Sequence, residues 1–440
     1  MIIPLADVVE RTGGRLHGDG PVSVRGASID SRAVAPGQLF VAVVAERDGH
    51  EFVADAVRMG ASAVLVSRPV DAEVAQVVVD DTVDALGRIG ALARERLQGP
   101  VVGITGSVGK TSTKDLLAAV CASVGVTTAS EKSLNNEMGV PLTLVNADES
   151  TVRTVVEMGA RGIGHIAALC AIARPTVGIV TAVAAAHTEM FGSLDGVALA
   201  KGELVEALPA DGTAVLNVDD ERVAAMASRC AGSVVGYGER GEVRAVDVVV
   251  GDDLRPSFVI ESPWGSAPVR LDIRGAHNVG NALAAAAAAL VTGIALDDVV
   301  AGLGLAHLSP SRMDLVVLDG GGVVIDDAYN ANPSSMRAAL AALARVDARR
   351  RVAVLGCMAE LGPDAGAEHL AIAAEAAAAG IEVVAVGTDL YGIEPVPDVD
   401  ALLATVPPPS AGEATLLKGS RVAGLDRVAR QWRREGRPTR

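Results

Sequence analysis

Short apolar runs alternate with amphipathic helical patterns over the middle of the chain. The runs at 101–104, 154–157, 177–183 and 213–217 are rich in Val and Ile, which is typical of strands that are buried on both faces. Between these runs, apolar residues recur at helical spacing. This alternation predicts a mostly parallel sheet with helices on both of its faces.

The first hundred residues show the same alternation in shorter pieces. Pro36-Gly37 predicts a turn, and Gly99-Pro100 is expected to end the last helix of this part. We predict helices at 7–12, 52–59 and 84–96 and strands at 39–43 and 63–66. Residues 1–98 are therefore expected to form a small α/β domain that ends at this boundary.

After residue 217 the pattern changes twice. Residues 243–273 contain short strand patterns separated by Gly and Pro, which predicts a small antiparallel excursion, and 278–291 predicts an alanine-rich helix. The alternation then resumes after Ser309, and we predict strands at 316–317, 323–326, 352–355, 383–386 and 415–417. The expected organisation is an α/β chain of three domains, at 1–98, 99–308 and 309–440.

Composition narrows the classes of protein that fit this pattern. Half of the 440 residues are hydrophobic and only 2% are aromatic, so the cores must be built from Ala, Val, Leu and Ile. The net charge of −16 argues against binding to nucleic acid or to an anionic membrane, because both partners need a basic face. The apolar run at 282–291 is too short to span a bilayer, so we expect no membrane insertion.

The two remaining compositional signals concern location. The first ten residues lack a basic segment and reach acidic residues quickly, so we expect no signal peptide. The four cysteines are scattered without metal or redox spacing, which favours reduced, mostly buried thiols. A cytoplasmic protein is the expectation.

One stretch carries the strongest chemical signal. A buried strand at 101–104 leads into Gly106-Ser-Val-Gly109, and Lys110-Thr-Ser-Thr113 opens a helix. The unpaired N–H groups of a helix start, together with its dipole, form a phosphate-binding loop. Lys110 would reach the β- and γ-phosphates of a nucleotide, and the Thr111 hydroxyl would hold Mg²⁺.

The match to the strict phosphate-loop pattern is incomplete. That pattern places glycine at position 104, where this chain has Ile104 between Gly103 and Gly106. The alternative is a glycine turn followed by a solvated lysine. A cation and several hydroxyls concentrated at one helix start favour nucleotide binding.

Further chemical residues follow the ends of predicted strands. Glu157 ends one strand, and His187 and Glu189 lie a few residues past another. Ligands of parallel α/β sheets bind at the carboxyl ends of strands, so these side chains are expected near the phosphate loop.

Several motifs of the chain, taken in order, form a pattern that resembles the Mur ligases of peptidoglycan synthesis. The resemblance extends from Ser28 to Ser420. The matching motifs are Gly106-Ser-Val-Gly-Lys-Thr-Ser112, Leu134-Asn-Asn-Glu-Met-Gly-Val-Pro-Leu-Thr143, Glu157-Met-Gly-Ala160, His187-Thr-Glu189, Ala200-Lys-Gly-Glu203, Asn217-Val-Asp-Asp220, Gly275-Ala-His-Asn-Val-Gly-Asn-Ala282 and Asp326-Asp-Ala-Tyr-Asn-Ala-Asn-Pro333.

The resemblance implies a fold and an activity. It implies a small N-terminal UDP-sugar-binding domain, a central ATP-binding domain and a C-terminal Rossmann-like ligase domain. The implied reaction is ATP-driven amide formation through an acyl phosphate. The Leu134 and Asp326 motifs are most similar to the branch whose substrates are UDP-N-acetylmuramoyl-tripeptide and D-alanyl-D-alanine. We expect ATP and Mg²⁺ as cofactors and a monomeric protein.

The resemblance also implies a metal and catalytic set. Thr111 and Glu157 would hold one Mg²⁺, and His187 resembles a family histidine at a second. Lys201 matches a family lysine that CO₂ converts to a carbamate, which acts as an extra carboxylate near the metal. Two of these residues have alternatives: a structural role for His187, and a surface lysine paired with Glu203 or Glu206 for Lys201. The implied catalytic residues are Lys110, His187, Lys201 and Arg312.

Nucleotide contacts are implied on both sides of the second domain boundary. Arg312 would reach the γ-phosphate when the last domain closes, although a surface arginine in a linker is the alternative. Asn278 and Asn281 would pair with the adenine edge; the alternative is capping of the alanine-rich helix, and the two roles are compatible. The full nucleotide set is Gly106, Ser107, Val108, Gly109, Lys110, Thr111, Ser112, Asn278, Asn281, Arg312 and Asp327.

The implied substrate contacts come from all three domains. Ser31 and Arg32 match a family segment that contacts the UDP part, and Arg suits a diphosphate by its bidentate geometry. The alternative is a surface arginine. Two further loops are implied: Asn135 and Asn136 would face the muramyl peptide, and Tyr329, Asn330 and Asn332 would line the same loop as Asp327. The alternative for both loops is a polar turn without a ligand.

The chain departs from the family pattern at four places. A first-domain motif is shortened to Ala45-Glu-Arg-Asp-Gly-His50, and Cys357 replaces an acid after a predicted strand. Thr188 and Ser311 replace Leu and Gly in two other motifs.

Three functions are compatible with the sequence. The first is the ligase described above. The second is another Mur ligase or a folylpolyglutamate synthetase-like amide ligase. The third is a nucleotide-binding module that has lost ligation, against which the set Lys110, Glu157, His187, Lys201 and Arg312 argues.

Overall fold

The structure is a computed structural model that describes residues 1–131, 134–184 and 191–435. The described strands form five sheets, and the predicted α/β class is confirmed. None of the described helices is long and apolar enough to cross a bilayer. The predicted residues His187 and Glu189 lie outside the described part of the chain.

The first part of the chain contains two small sheets. One is a five-stranded sheet of order β2-β7-β6-β5-β4, parallel except where β2 pairs with β7, and the other is an antiparallel β1–β3 pair. Helix α3 packs against α1 and against helices of the next unit. The elements are β1 Ile2–Pro4, α1 Leu5–Thr12, β2 Arg15–His17, β3 Ser23–Arg25, β4 Ala27–Ser28, β5 Leu39–Val41, α2 Val53–Met59, β6 Ala63–Val66, β7 Ala75–Val78 and α3 Thr82–Arg96.

A six-stranded, wholly parallel sheet of order β13-β12-β11-β8-β10-β9 forms the centre of the molecule. Strand order reverses at β8, because the chain adds β9 and β10 on one side and β11 to β13 on the other. The elements are β8 Val101–Thr105, α4 Lys110–Val124, β9 Thr127–Ala129, α5 Gly139–Val145, β10 Arg153–Glu157, α6 His165–Ala173, β11 Val177–Val180, α7 Leu194–Glu206, β12 Thr213–Asn217, α8 Glu221–Ala225 and β13 Ser233–Tyr237.

The predicted antiparallel excursion and alanine-rich helix are both confirmed. Three antiparallel strands precede helix α9, whose alanines from Ala282 to Ala289 are fully buried against α4 and the central sheet. Small side chains allow this close approach of helix backbones. The elements are β14 Arg244–Val250, β15 Pro256–Ser262, β16 Gly265–Arg270, α9 Asn278–Val291 and α10 Leu296–Gly304.

The last part of the chain forms a five-stranded sheet of order β17-β18-β21-β19-β20, parallel except for β17. Helices pack on both faces of this sheet through two apolar cores. The elements are β17 Asp314–Val317, β18 Val323–Asp326, α11 Pro333–Arg345, β19 Arg350–Leu355, α12 Ala365–Ala378, β20 Glu382–Ala385, α13 Val399–Thr405, β21 Glu413–Lys418 and α14 Asp426–Glu435.

Leu254 connects the antiparallel excursion to the C-terminal sheet. It sits in the turn between β14 and β15 with a left-handed φ of 62°, which is costly for a leucine. Its side chain is buried in the same apolar cluster as Met313, Ile325 and Met336. The excursion therefore anchors the C-terminal unit through one apolar contact.

Replacing Leu254 with alanine should lower the free energy of unfolding of the C-terminal core by about 2–5 kcal/mol, because it leaves a cavity in a packed cluster. Trp432 is buried in this part of the chain and reports its unfolding by fluorescence in guanidinium, in a Trp264→Phe background. The exposed Leu305 supplies the control, Leu305→Ala. Equal unfolding midpoints for the two variants would contradict the anchoring role.

Candidate active site

The loop between β8 and α4 lies where the strand order of the central sheet reverses, which is where ligands of open α/β sheets bind. Glu157 pairs in register with Ile104 on one side, and Val180 pairs with Thr105 on the other. The loop therefore emerges between the ends of β10 and β11. A cavity of about 700 Å³ opens there and extends to the C-terminal sheet.

The loop is held by the segment that follows β11. The Thr181 hydroxyl donates to Val108 O at 2.5 Å, and Ser107 N donates to Ala182 O at 2.8 Å. Gly106 has a φ of 149°, and a Cβ there would lie 1.8 Å from the Thr181 hydroxyl oxygen. Glycine is required at this position, because the two segments approach too closely for any side chain.

Lys110 points back into the loop that precedes it. Its ammonium donates to Gly106 O at 2.7 Å, and burial lowers its pKa, with Glu157 opposing that shift and Arg312 adding to it. The side chain is half-buried and bonded to its own loop, which argues against a freely solvated lysine after a glycine turn. A cation at the start of a helix, whose first N–H groups have no partner within the helix, favours an anion as ligand.

An oxygen-rich cluster lies beside Lys110. The Thr111 hydroxyl donates to Glu157 Oε2 at 2.8 Å, and the Asn135 amide donates to Glu157 Oε1 at 2.8 Å. Glu157 itself is 1% exposed. The described residues contain no group of three His, Cys, Asp or Glu that could hold a metal ion. Thr111 and Glu157 nevertheless match the hard oxygen ligands that Mg²⁺ prefers.

Lys201 is buried in helix α7 and lines the cavity. Burial lowers its pKa to about 7, and the charge of Lys110 contributes. Glu203 accepts instead from Gly164 N and Ala167 N, and Glu206 pairs with Arg229. The surface-lysine alternative is therefore wrong.

The two asparagines of α9 occupy different places. Asn281 lines the cavity, and its amide donates to Asn278 Oδ1 at 2.8 Å. Asn278 is fully buried behind it and donates to Arg274 O. The helix N-cap is His277, without a side-chain capping bond, so the alternative that these asparagines cap the helix is wrong.

The C-terminal unit contributes Arg312 to the same cavity. Ser311 and Met313, on either side, have left-handed φ angles of 59° and 53°. The guanidinium lies 4.4 Å from the centroid of the Tyr329 ring, and its Nε is buried without a hydrogen-bond partner within the described part of the chain. Arg312 is therefore not a surface arginine of a linker. The left-handed backbone of Ser311 and Met313 holds it facing the cavity, at a cost in strain at those two residues.

Asp327 directly follows β18 and accepts a hydrogen bond at 3.1 Å from the N–H of Met313, the residue after Arg312. Lys418, at the end of β21, donates to Asp327 Oδ2 at 2.5 Å and to Asn330 O at 3.0 Å. Asn332 accepts from Ser335 N as the N-cap of α11, so this asparagine lines the cavity and starts a helix. The ion pair fixes the shape of the loop that carries Tyr329.

The cavity brings together most of the predicted site residues. Among those that line it are Gly106, Ser107, Val108, Gly109, Lys110, Thr111, Ser112, Asn135, Asn136, Glu157, Lys201, Asn281, Arg312, Asp327, Tyr329, Asn330 and Asn332. Ser31, Arg32 and Asn278 do not line it, and Arg32 is exposed and paired with Asp30 at 2.8 Å. His187 lies outside the described residues, so its role stays a prediction.

Sequence reasoning missed Lys418, and a compositional signal could have found it. Of the 38 basic residues only five are lysine, at positions 110, 114, 132, 201 and 418. Three of these line the cavity. A chain that uses Arg almost everywhere keeps Lys where a compact charge or a shifted pKa is needed.

Two departures from the family pattern are structurally accommodated. In the shortened first-domain segment, Asp48 contacts His50 Nδ1 at 2.6 Å, and Ser67 N donates to His50 Nε2 at 2.9 Å. Cys357 is half-buried after β19, and burial raises the pKa of its thiol. A neutral thiol cannot replace the charge of an acid there.

Comparisons with known proteins agree with this geometry. Residues 104–289 match the Mur ligase middle domain, and residues 311–421 match the Mur ligase glutamate ligase domain. The chain is 36% identical over 450 aligned positions to the UDP-N-acetylmuramoyl-tripeptide–D-alanyl-D-alanine ligase of Escherichia coli, covering 99% of both chains.

Two solved structures are similar over nearly the whole chain. MurF from Acinetobacter baumannii is 32% identical, with a TM-score of 0.85 and 99% of both chains covered. MurF from Thermotoga maritima in complex with ADP is 26% identical, with a TM-score of 0.80, and the match covers 94% of this chain and 98% of that one. The chain belongs to the Mur ligase family.

Proposed function

We propose that this protein is an ATP-dependent ligase that joins D-alanyl-D-alanine to UDP-N-acetylmuramoyl-tripeptide. One observation carries the proposal: the half-buried lysine of a phosphate loop and an arginine from another unit of the chain, flanked by two residues with left-handed φ angles, face the same cavity. The names of the relatives above supply the substrates. The domains we assign are 1–98 for the UDP-sugar, 99–308 for ATP and 309–440 for ligation, and the reaction is placed in the cytoplasm.

The reaction proceeds in two steps. A carboxylate oxygen of the tripeptide attacks the γ-phosphorus of ATP, which forms an acyl phosphate and releases ADP. The amine of D-alanyl-D-alanine then attacks the acyl carbon, loses a proton and expels inorganic phosphate. Both steps need charge neutralisation and positioning more than a covalent nucleophile of the protein.

Lys110 and Arg312 supply the positive charge. Lys110 leaves the loop carbonyls for the β- and γ-phosphate oxygens, where its charge is better compensated. Arg312 lies across the cavity and contacts the transferring phosphoryl group when the two units approach. The loop N–H groups from Gly106 to Ser112 hold the remaining phosphate oxygens.

Thr111 and Glu157 are the residues that would hold Mg²⁺, with His187 and a carbamate on Lys201 completing the set. Bound Mg²⁺ would neutralise phosphate charge. Asn135 orients Glu157 through its amide hydrogen bond. Asn281 and Asp327 are assigned to the nucleotide, with Asn278 orienting Asn281. Contacts to the UDP-muramyl peptide are assigned to Ser31, Arg32, Asn135, Asn136, Tyr329, Asn330 and Asn332.

Phosphate release from ATP by the purified protein tests the proposal. We expect release only when both UDP-N-acetylmuramoyl-tripeptide and D-alanyl-D-alanine are present, because the acyl phosphate needs its acceptor. Release that depends on another amino acid or on a folate would support a different amide ligase. No release with any acceptor would support a non-catalytic nucleotide-binding module.

A further inference from the structure

The backbone that carries Arg312 is held from behind the wall of the cavity. Neither Ser311 nor Asp326 lines the cavity, but the Ser311 hydroxyl donates to Asp326 Oδ2 at 3.1 Å. Tyr329 N also donates to Ser311 O at 3.3 Å. These two contacts fix the residue directly before the arginine that faces the cavity.

The backbone at Ser311 is strained. Its φ of 59° lies in the left-handed region, which a residue with a Cβ enters only at a cost. Glycine, the residue of the family pattern at this position, would adopt this conformation freely. Contacts in the folded protein must offset the cost for serine, and the hydroxyl bond to Asp326 is one that neither glycine nor alanine can make.

Asp326 is a buried carboxylate, only 4% exposed, at the end of β18. Its register partner across the β17–β18 pair is Asp314, and like charges directly opposite each other repel. Arg433 of helix α14 compensates both, because its guanidinium donates to Asp314 Oδ2 at 2.7 Å and to Asp326 Oδ2 at 3.1 Å. One guanidinium therefore holds in place the carboxylate that accepts from the Ser311 hydroxyl.

The charge of Asp326 strengthens this contact. Burial raises its pKa to about 6, and the hydrogen bond from Ala328 N, the charge of Arg433 and the Ser311 hydroxyl oppose the rise, whereas Asp314 adds to it. The carboxylate is therefore mostly charged at neutral pH. A hydrogen bond to a charged acceptor is stronger than one to a neutral group.

We propose that Asp326 is a positioning residue for phosphoryl transfer, which orients Arg312 towards the cavity through the Ser311 hydroxyl. The inference rests on the proposed function, because it deepens the role assigned there to Arg312. Since Asp326 does not line the cavity, it acts on the orientation of the cation rather than on the nucleotide. Orientation determines the rate, because a displaced charge stabilises the transition state less.

Two substitutions of Ser311 separate the hydroxyl bond from the backbone strain. Ser311→Ala removes the bond but keeps the strain, so kcat for phosphate release with all three substrates should fall roughly tenfold or more, the value of a hydrogen bond to a charged group. Ser311→Gly removes both, so kcat should stay within about threefold of the wild-type value. The KM for ATP should change in neither variant, because Arg312 acts on the phosphoryl group during its transfer.

Asp326→Asn keeps the shape of the side chain and removes its charge. In the wild-type protein it should lower kcat by roughly tenfold, but in Ser311→Gly it should have no further effect, because glycine does not need the bond. Asp400→Asn is the matched control, since Asp400 is an exposed carboxylate of the same unit that pairs with Arg427. The fluorescence of the buried Trp432 shows whether each variant folds, and the two Ser311 variants decide if Asp326→Asn does not.

Three results would overturn the assignment. They are a wild-type kcat in Ser311→Ala, an equal loss of kcat in Ser311→Ala and Ser311→Gly, and an effect of Asp326→Asn that is as large in Ser311→Gly as in the wild-type protein. The last of these would show that Asp326 only stabilises the fold. Phosphate release by the wild-type protein that does not depend on both the UDP-tripeptide and the dipeptide would instead overturn the proposed function.

Discussion

Replacing Lys110 with alanine should lower turnover by ~10³-fold or more, because it removes a charge that is aimed at the transferring phosphoryl group. In the structure the side chain is half-buried, its ammonium donates to Gly106 O of its own loop, and the charges of Glu157 and Arg312 act on it. Burial strengthens its interaction with a phosphate, since water competes little there. The measurement is the rate of phosphate release with all three substrates saturating.

Lys110→Arg separates charge from geometry. Arginine keeps the charge, but its planar guanidinium cannot take the place of the compact ammonium that donates to Gly106 O inside the loop. We therefore expect only a small part of the lost turnover to return. Arg427→Ala, at an exposed arginine that pairs with Asp400, serves as the control. Near-normal turnover of Lys110→Ala beside it would contradict the role of the loop.

The central unit is the part of the fold that the sequence predicts best. The strand at 213–217 and the helix at 278–291 have the predicted bounds, because a strand buried on both faces and a helix buried on all sides carry unbroken apolar signals. The strand predicted at 177–183 ends at Val180, because Thr181 and Ala182 turn to hold the phosphate loop.

Short and exposed strands escaped the sequence analysis. All three residues of β2 are exposed, and β13 starts with two exposed residues, so neither has an apolar pattern to detect. The antiparallel position of β17 at the edge of the C-terminal sheet is set by pairing partners far along the chain, which periodicity does not encode.

For the candidate site, residue types were easier to predict than their environments. The motif around Lys110 indicated a phosphate loop, but only the fold shows that Asn278 supports Asn281 from behind. Likewise, Arg421 lies 109 positions after Arg312 in the chain, and the two meet on one tyrosine only in the folded protein. Contacts between strand ends arise from sheet order, which local patterns do not contain.

Replacing Lys201 with alanine should abolish most of the activity, and short-chain carboxylates should restore part of it. The side chain is buried at the cavity, and burial lowers its pKa to about 7, with Lys110 contributing. At pH 8 most of this amine is therefore neutral, whereas an ordinary lysine would be charged. A neutral amine attacks CO₂, loses a proton and forms a carbamate, and the carbamate supplies the negative charge that acetate or formate would replace.

The sign of the pH dependence follows from the same pKa. Because protonation removes the nucleophilic lone pair, carbamate formation should weaken as pH falls through about 7 and should saturate above it. Labelling with ¹³CO₂ makes the group visible by NMR without any assay of activity, and the signal should vanish in Lys201→Ala. Lys201→Arg is the matched control, since it keeps a cation in the same helix but cannot form the carbamate at these pH values. A wild-type protein without the signal would show that Lys201 carries no carbamate. A Lys201→Ala variant with full activity and no response to acetate would show that this side chain is not needed for the reaction.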